Sequence, residues 1–235
     1  MVDTALITAL GFGFLLGLRH ALDADHLVTV TTVISRGGSF LRAVKVGLVW
    51  GIGHTITLFA AGLAVLVFKL TIPDKLALSM ELAVGVLMVF LGIPLLRNLV
   101  RNKAHFHIHE HGDKTHLHTH SHDDSEEHNH NHIRRPLLIG MVHGLAGSGA
   151  LVPLVMGTMS SVNQGLLFLL LFGFGSILGM LIFSGLISFP FRLAGRASGR
   201  LNLWLQGIAG TASISFGLYI IWQAGFGEGL LLASF

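Results

Sequence analysis

Between Val46 and Phe68 the chain runs for 23 residues without an Asp, Glu, Lys or Arg. As a helix that run is about 35 Å long, enough to cross a hydrocarbon core of about 30 Å. Lipid offers no hydrogen-bond partners, so a backbone crossing it must satisfy its own N–H and C=O groups. That condition restricts such a segment to helix. Five further apolar stretches have similar reach. The six lie at 5–33, 43–68, 77–96, 137–159, 163–189 and 203–225. Composition agrees, with 52% hydrophobic and 11% charged residues, against about a quarter charged in soluble domains. The expected fold is therefore an all-α integral membrane protein with six transmembrane helices.

The first stretch is unusual, because Arg19 to His26 interrupts it with polar residues. It is longer than a span needs, which points to a tilt or a break at the interruption. No basic residue precedes it, so it is a poor fit to a signal peptide. The chain has no cysteine, which removes disulfide, thiol-redox and thiolate-metal chemistry.

Orientation is read from Lys and Arg. Arg36, Arg42, Lys45, Arg97, Arg101, Lys103, Lys114, Arg134, Arg135, Arg192, Arg196 and Arg200 fall in connections on one side, and only Lys69 and Lys75 on the other. The bias places both termini outside and the loop after the third span in the cytoplasm of a cell with its inner (plasma) membrane. The formal net charge of +3 is thus topological and gives no sign of a nucleic-acid partner. The bilayer is the partner it implies.

The two halves echo each other at an offset of about 123 residues. Gly17-Leu18-Arg19-His20 matches Gly140-Met141-Val142-His143, and Trp50-Gly51-Ile52-Gly53-His54 matches Phe172-Gly173-Phe174-Gly175-Ser176. Glu81, Gly85 and Gly92 match Gln206, Gly210 and Gly217. Three spans per half would give the halves opposite orientations, which is the architecture of inverted-repeat secondary transporters. The chain divides accordingly into a first three-helix repeat (1–97), a His-rich loop (98–135) and a second three-helix repeat (136–235).

The chemistry concentrates in His20-Ala21-Leu22-Asp23-Ala24-Asp25-His26, two imidazoles and two carboxylates in seven residues of a membrane span. Each such group costs about 2.5–3.5 kcal/mol to insert, so the cluster needs partners or a bound ion. His54 lies in the uncharged run beside Gly51 and Gly53, which permit close helix approach. His143 opens a Gly-rich segment through Gly149. Imidazole nitrogen with carboxylate oxygen suits first-row divalent cations. The candidate metal residues are His20, Asp23, Asp25, His26, His54 and His143. Ser148 and Ser176 are candidate cavity-lining hydroxyls. Arg19, four residues before Asp23, is a candidate structural ion pair or gate. The competing reading is that these groups only join helices, and it is strongest for a single buried histidine such as His54.

Eleven histidines sit in the loop: His105, His107, His109, His111, His116, His118, His120, His122, His128, His130 and His132. With six acids and one lysine between 105 and 132, the segment cannot bury a core and is expected to be disordered without a ligand. Imidazoles at this density make an auxiliary binding loop for divalent metal, which weakens in acid.

Arg19-His20-Ala21-Leu22-Asp23-Ala24-Asp25-His26 resembles the HX4DH hallmark of the nickel/cobalt transporter family (NiCoT), and Gly53-His54-Thr55 resembles that family's motif on the following helix. The second half, with His143-Gly-Leu-Ala-Gly-Ser-Gly-Ala, is similar to the UreH-type branch of the wider superfamily. The loop is similar to that of its nickel/cobalt efflux branch. NiCoT permeases have eight spans, where this chain has six. The resemblance implies metal recognition by His20, Asp25 and His26, with Asp23 in the same motif. It implies uptake of Ni²⁺ or Co²⁺ by a secondary carrier driven by membrane potential. A cytoplasmic metallochaperone or urease-type maturation pathway would receive the ion. Ion-coupled efflux and a membrane metal sensor or store are the alternatives within metal handling. An intramembrane metalloenzyme is the alternative of another class. No nucleotide-binding GxxxxGK[ST] is present. No enzyme activity and no resident cofactor are expected.

Overall fold

The computed structural model describes residues 4–35, 38–70, 72–101, 109–111, 114–116, 131–159, 161–228 and 230. Seven α-helices follow in order: α1 (Thr4–His20), α2 (Ala24–Ile34), α3 (Phe40–Phe68), α4 (Asp74–Arg101), α5 (Asn131–Thr158), α6 (Val162–Ala197) and α7 (Gly199–Trp222). A π-helical turn over Gln223–Gly227 extends α7. Between α4 and α5 lie two short strands, β1 (His109–His111) and β2 (Lys114–His116), paired antiparallel with His109 opposite His116. The sequence alternates histidine with other residues on either side of Gly112-Asp113, a turn-forming pair. His105, His107, His118, His120, His122, His128 and His130 lie outside the described residues, and His132 is in the first turn of α5.

Among the described residues, four helices are long and apolar enough to cross a membrane: α3, α4, α6 and α7 with its π turn. The expected first span is two shorter apolar helices, α1 and α2. The break has a local cause. Leu22 N–H donates to the Arg19 carbonyl at 2.8 Å and Asp23 N–H to the His20 carbonyl at 3.0 Å, tightening and closing α1. Asp23 then takes an extended conformation as N-cap of α2, and Asp25 sits in the first turn. A carboxylate there complements the positive end of the helix dipole. The break therefore places the polar heptapeptide at two helix ends.

Helix joints are made where a side chain is missing. A Cβ at Gly17 would overlap the carbonyl oxygen of Phe172, and one at Gly140 would overlap that of Trp50. A Cβ at Gly53 would overlap the Leu137 carbonyl, and one at Gly175 that of Phe14. Each pair exchanges into the other at the 122–123 residue offset of the sequence echo. The joint between α4 and α7 is built likewise, with Gly85 against Gly217 and Gly92 against Gly210. Ser213 Oγ donates to the Met88 carbonyl across it at 2.8 Å, and Asn98 Nδ2 to Gln206 Oε1 at 3.1 Å. Hydroxyl and amide bonds of this kind supply association energy where lipid offers no hydrophobic drive. One apolar cluster gathers Ala21, Val30, Ile34, Ala43, Trp50 and Met180, and a second Leu58, Leu151, Val155, Phe168, Leu169 and Phe172.

Candidate metal centre

Four helices deliver histidines to one place. His20 ends α1, His26 lies in the first turn of α2, His54 sits midway along α3, and His143 projects from α5. Glycines set the distances, since Gly53 brings α5 against α3 and Gly144 would place a Cβ into the His54 carbonyl. The His20 and His26 rings are 4.5 Å apart between centroids, His20 and His54 5.1 Å, and His26 and His54 5.2 Å. One ligand nitrogen from each of these three falls within 4.8 Å of the others.

The protonation pattern follows from the partners. Asp23 Oδ2 lies 2.7 Å from His20 Nδ1, and Asp25 Oδ1 lies 3.0 Å from His26 Nδ1. An ionised carboxylate only accepts, so each Nδ1 carries a hydrogen, and in the neutral ring each Nε2 keeps its lone pair. Those two Nε2 atoms, and both nitrogens of His54, are buried without a hydrogen-bond partner among the described residues. Buried polar atoms are ordinarily satisfied. Three acceptor rings thus face one another as a group that could hold a cation. Carboxylates behind ligating imidazoles fix the tautomer and raise ligand basicity. Tetrahedral coordination at about 2.0–2.1 Å would bring the nitrogens to about 3.4 Å of one another.

The residues singled out from sequence divide on this geometry. His20, His26 and His54 converge. Asp23 and Asp25 stand one step outside, on the far nitrogens of His20 and His26. His143 comes to 5.3 Å of the His26 ring, yet its nitrogens are occupied. Nδ1 donates to the Ile139 carbonyl at 3.1 Å, and Nε2 accepts from Thr29 Oγ1 at 3.3 Å. Ser148 Oγ donates back to Leu145 of its own helix, and Ser176 Oγ donates to the Gly17 carbonyl. Both hydroxyls are thus committed to backbone. The expected Arg19–Asp23 pair is not formed: Asp23 is taken by His20, and Arg19 is exposed.

Three residues absent from the expected site line it. Trp50 stacks on His26 at 5.5 Å and meets the edge of His143 at 5.5 Å. Phe172 lies 5.4 Å from His20. Gly147 faces the rings, where a Cβ would stand 3.7 Å from both His20 Nε2 and His54 Cε1. Trp50 and Phe172 are equivalents in the sequence echo, which was the one signal available for them.

Fold and site together define a multi-pass helical membrane protein with a buried imidazole cluster. Residues 63–219 match the family described as cytochrome C biogenesis protein transmembrane region. The match covers α4 to α7 and begins after His20, His26 and His54. The chain is also 37% identical over 230 residues to the urease accessory protein UreH of Bacillus sp. (strain TB-90), which spans 98% of this chain and 97% of that protein. It belongs to the UreH family, and residues 63–219 to that family of transmembrane regions. No solved structure matches it.

Proposed function

We propose that the protein is a membrane carrier for a first-row divalent cation, Ni²⁺ first and Co²⁺ second, working as an accessory to urease maturation. The observation that carries the proposal is the group of orphaned imidazole nitrogens of His20, His26 and His54, two of them backed by carboxylates. Neutral imidazoles provide nitrogen ligands, and Asp23 and Asp25 offset the charge of a dication stripped of water. Neutral nitrogen donors with carboxylates behind them suit Ni²⁺, Co²⁺ and Zn²⁺ better than hard cations such as Mg²⁺. The name of the relative supports an accessory and not an enzymatic role, and its urease context favours nickel.

The carrier has six spans, with α1 and α2 forming the first and α5 the fourth, arranged as two inverted repeats. The exchanged contacts of Gly17 with Phe172 and Gly140 with Trp50 support that symmetry. His143 braces the site from the second repeat. The Lys/Arg-rich face is cytoplasmic, the membrane is the inner one, and the His-rich loop buffers arriving metal and hands it to a metallochaperone. An inside-negative potential drives entry, at about 2.3 kcal/mol per charge per 100 mV.

The test is flux into proteoliposomes under an imposed inside-negative potential, with Ni²⁺, Co²⁺, Zn²⁺ and Mn²⁺ beside His26→Ala. Potential-driven Ni²⁺ or Co²⁺ entry that disappears in the variant is the expected result. Absence of flux for every metal, with a proton gradient of either sign, refutes the carrier. Flux only outward against a proton gradient reassigns it to efflux.

A further inference from the structure

A groove of about 610 Å³ lies between α4 and α7, lined by Ile93, Leu96, Arg97, Val100, Arg101 and Ile214 and by no histidine. The five α4 residues follow the i, i+3, i+4, i+7, i+8 spacing of one helix face. They run about 12 Å along the helix and end in two guanidiniums one turn apart. Among the described residues no carboxylate lines the groove, and the ion pairs are His20–Asp23 and His26–Asp25. Like charges at i and i+4 repel, so this face favours an anion between Arg97 and Arg101. The apolar wall runs from there toward the middle of the span, past Ile93 and Ile214. That order, a cationic pair at the helix end and a hydrocarbon wall inward, is complementary to a phospholipid with an anionic headgroup.

We infer that the α4–α7 groove is a binding site for an anionic phospholipid, with its phosphate between Arg97 and Arg101 and an acyl chain along Leu96, Ile93 and Ile214. The site is independent of the histidine centre. It sits beside the Gly92–Gly210 contact, where Ile214 packs on Gly92, so an occupied groove also holds α4 against α7. Basic pockets between helices at a membrane surface recognise acidic headgroups in this manner.

The experiment is native mass spectrometry of the full-length protein. It is purified with equal amounts of phosphatidylglycerol and phosphatidylcholine of the same chains. Wild type should retain phosphatidylglycerol preferentially, by about fivefold per arginine and up to about thirtyfold for the pair. The Arg97→Gln/Arg101→Gln variant should lose the preference. Leu96→Trp, which fills the groove and leaves both charges, should lower retention while the variant still elutes as a folded monodisperse species. Equal retention of the two lipids by wild type overturns the inference, as does a preference that survives the double variant. Displacement of the lipid by inorganic phosphate alone assigns the arginines to a simple anion site and overturns the acyl-chain half. Unchanged retention in Leu96→Trp does the same.

Discussion

Replacing Asp25 by asparagine should weaken metal binding more than the same change at Asp23, although Asp23 makes the shorter contact. Asp23 approaches His20 Nδ1 to 2.7 Å, but its side chain is 52% exposed and that of His20 19%. Asp25 sits 3.0 Å from His26 Nδ1, with side chains 30% and 2% exposed. At Asp23 water can take over the hydrogen bond, and solvent screens the lost charge. At Asp25 neither substitution is available to a buried ring. Removing a partner behind a ligating imidazole costs about 10–100-fold in affinity, or about 1.4–2.7 kcal/mol. Asp25→Asn should fall within that range, and Asp23→Asn should cost less than about tenfold. The amide introduced by Asp25→Asn keeps an oxygen acceptor for Nδ1 of His26, so the metal-free fold should survive. Asp25→Ala would instead leave a buried donor unpaired and lower metal-free stability by about 1–3 kcal/mol. Isothermal titration of detergent-purified protein with Ni²⁺, beside thermal melts without metal, reads both quantities. An Asp23→Asn loss equal to or larger than that of Asp25→Asn would refute the reasoning, since burial would then not decide the effect.

Other expectations follow from single contacts. Gly53→Ala forces a Cβ into the Leu137 carbonyl and should lower stability by about 1–3 kcal/mol. Gly11→Ala, with nothing within 4 Å, should be neutral or up to about 1 kcal/mol stabilising, and comparison of the two melting temperatures checks the joint. Gly147→Leu fills the space before His20 and His54, so metal binding and flux should vanish while the melting temperature stays near wild type; retained binding would move the site elsewhere. Ligating imidazoles must be neutral, so Ni²⁺ affinity should fall as the medium is acidified. A titration series from about pH 8 to about pH 5 with no loss would argue against imidazole ligands. Deleting residues 105–132 should leave potential-driven flux intact in proteoliposomes, and abolition of flux would make the loop part of the path.

The break between α1 and α2 shows how sequence and structure divide the work. A heptapeptide with four ionisable groups does not sit quietly in an apolar helix, and its polarity alone announced an interruption near residues 19–26. The tertiary fold converts that interruption into geometry. His20 ends one helix, His26 begins the next, and the two rings meet at 4.5 Å. In an unbroken helix His20, Asp23 and His26, three residues apart, would share one face. With the helix broken at Asp23, the carboxylates fall behind the imidazoles and accept hydrogen bonds from their Nδ1 atoms.

The sequence by itself determined the solvent of this protein, its helical class, the charge bias of its two faces and the residue types of its site. Hydrocarbon accepts only self-satisfied backbones, and intramembrane histidines and aspartates are too costly to be placed without a partner. Only the tertiary structure decided which nitrogens face one another. It alone drew in Trp50, Phe172 and Gly147, turned His143 to Thr29 and Ile139, and gave Asp23 to His20 in place of Arg19. Those choices depend on contacts between residues far apart in the chain, such as Gly17 with Phe172 and Gly140 with Trp50. Periodicity along a chain records which face of a helix is apolar, but not which neighbour's backbone comes within reach of a missing Cβ.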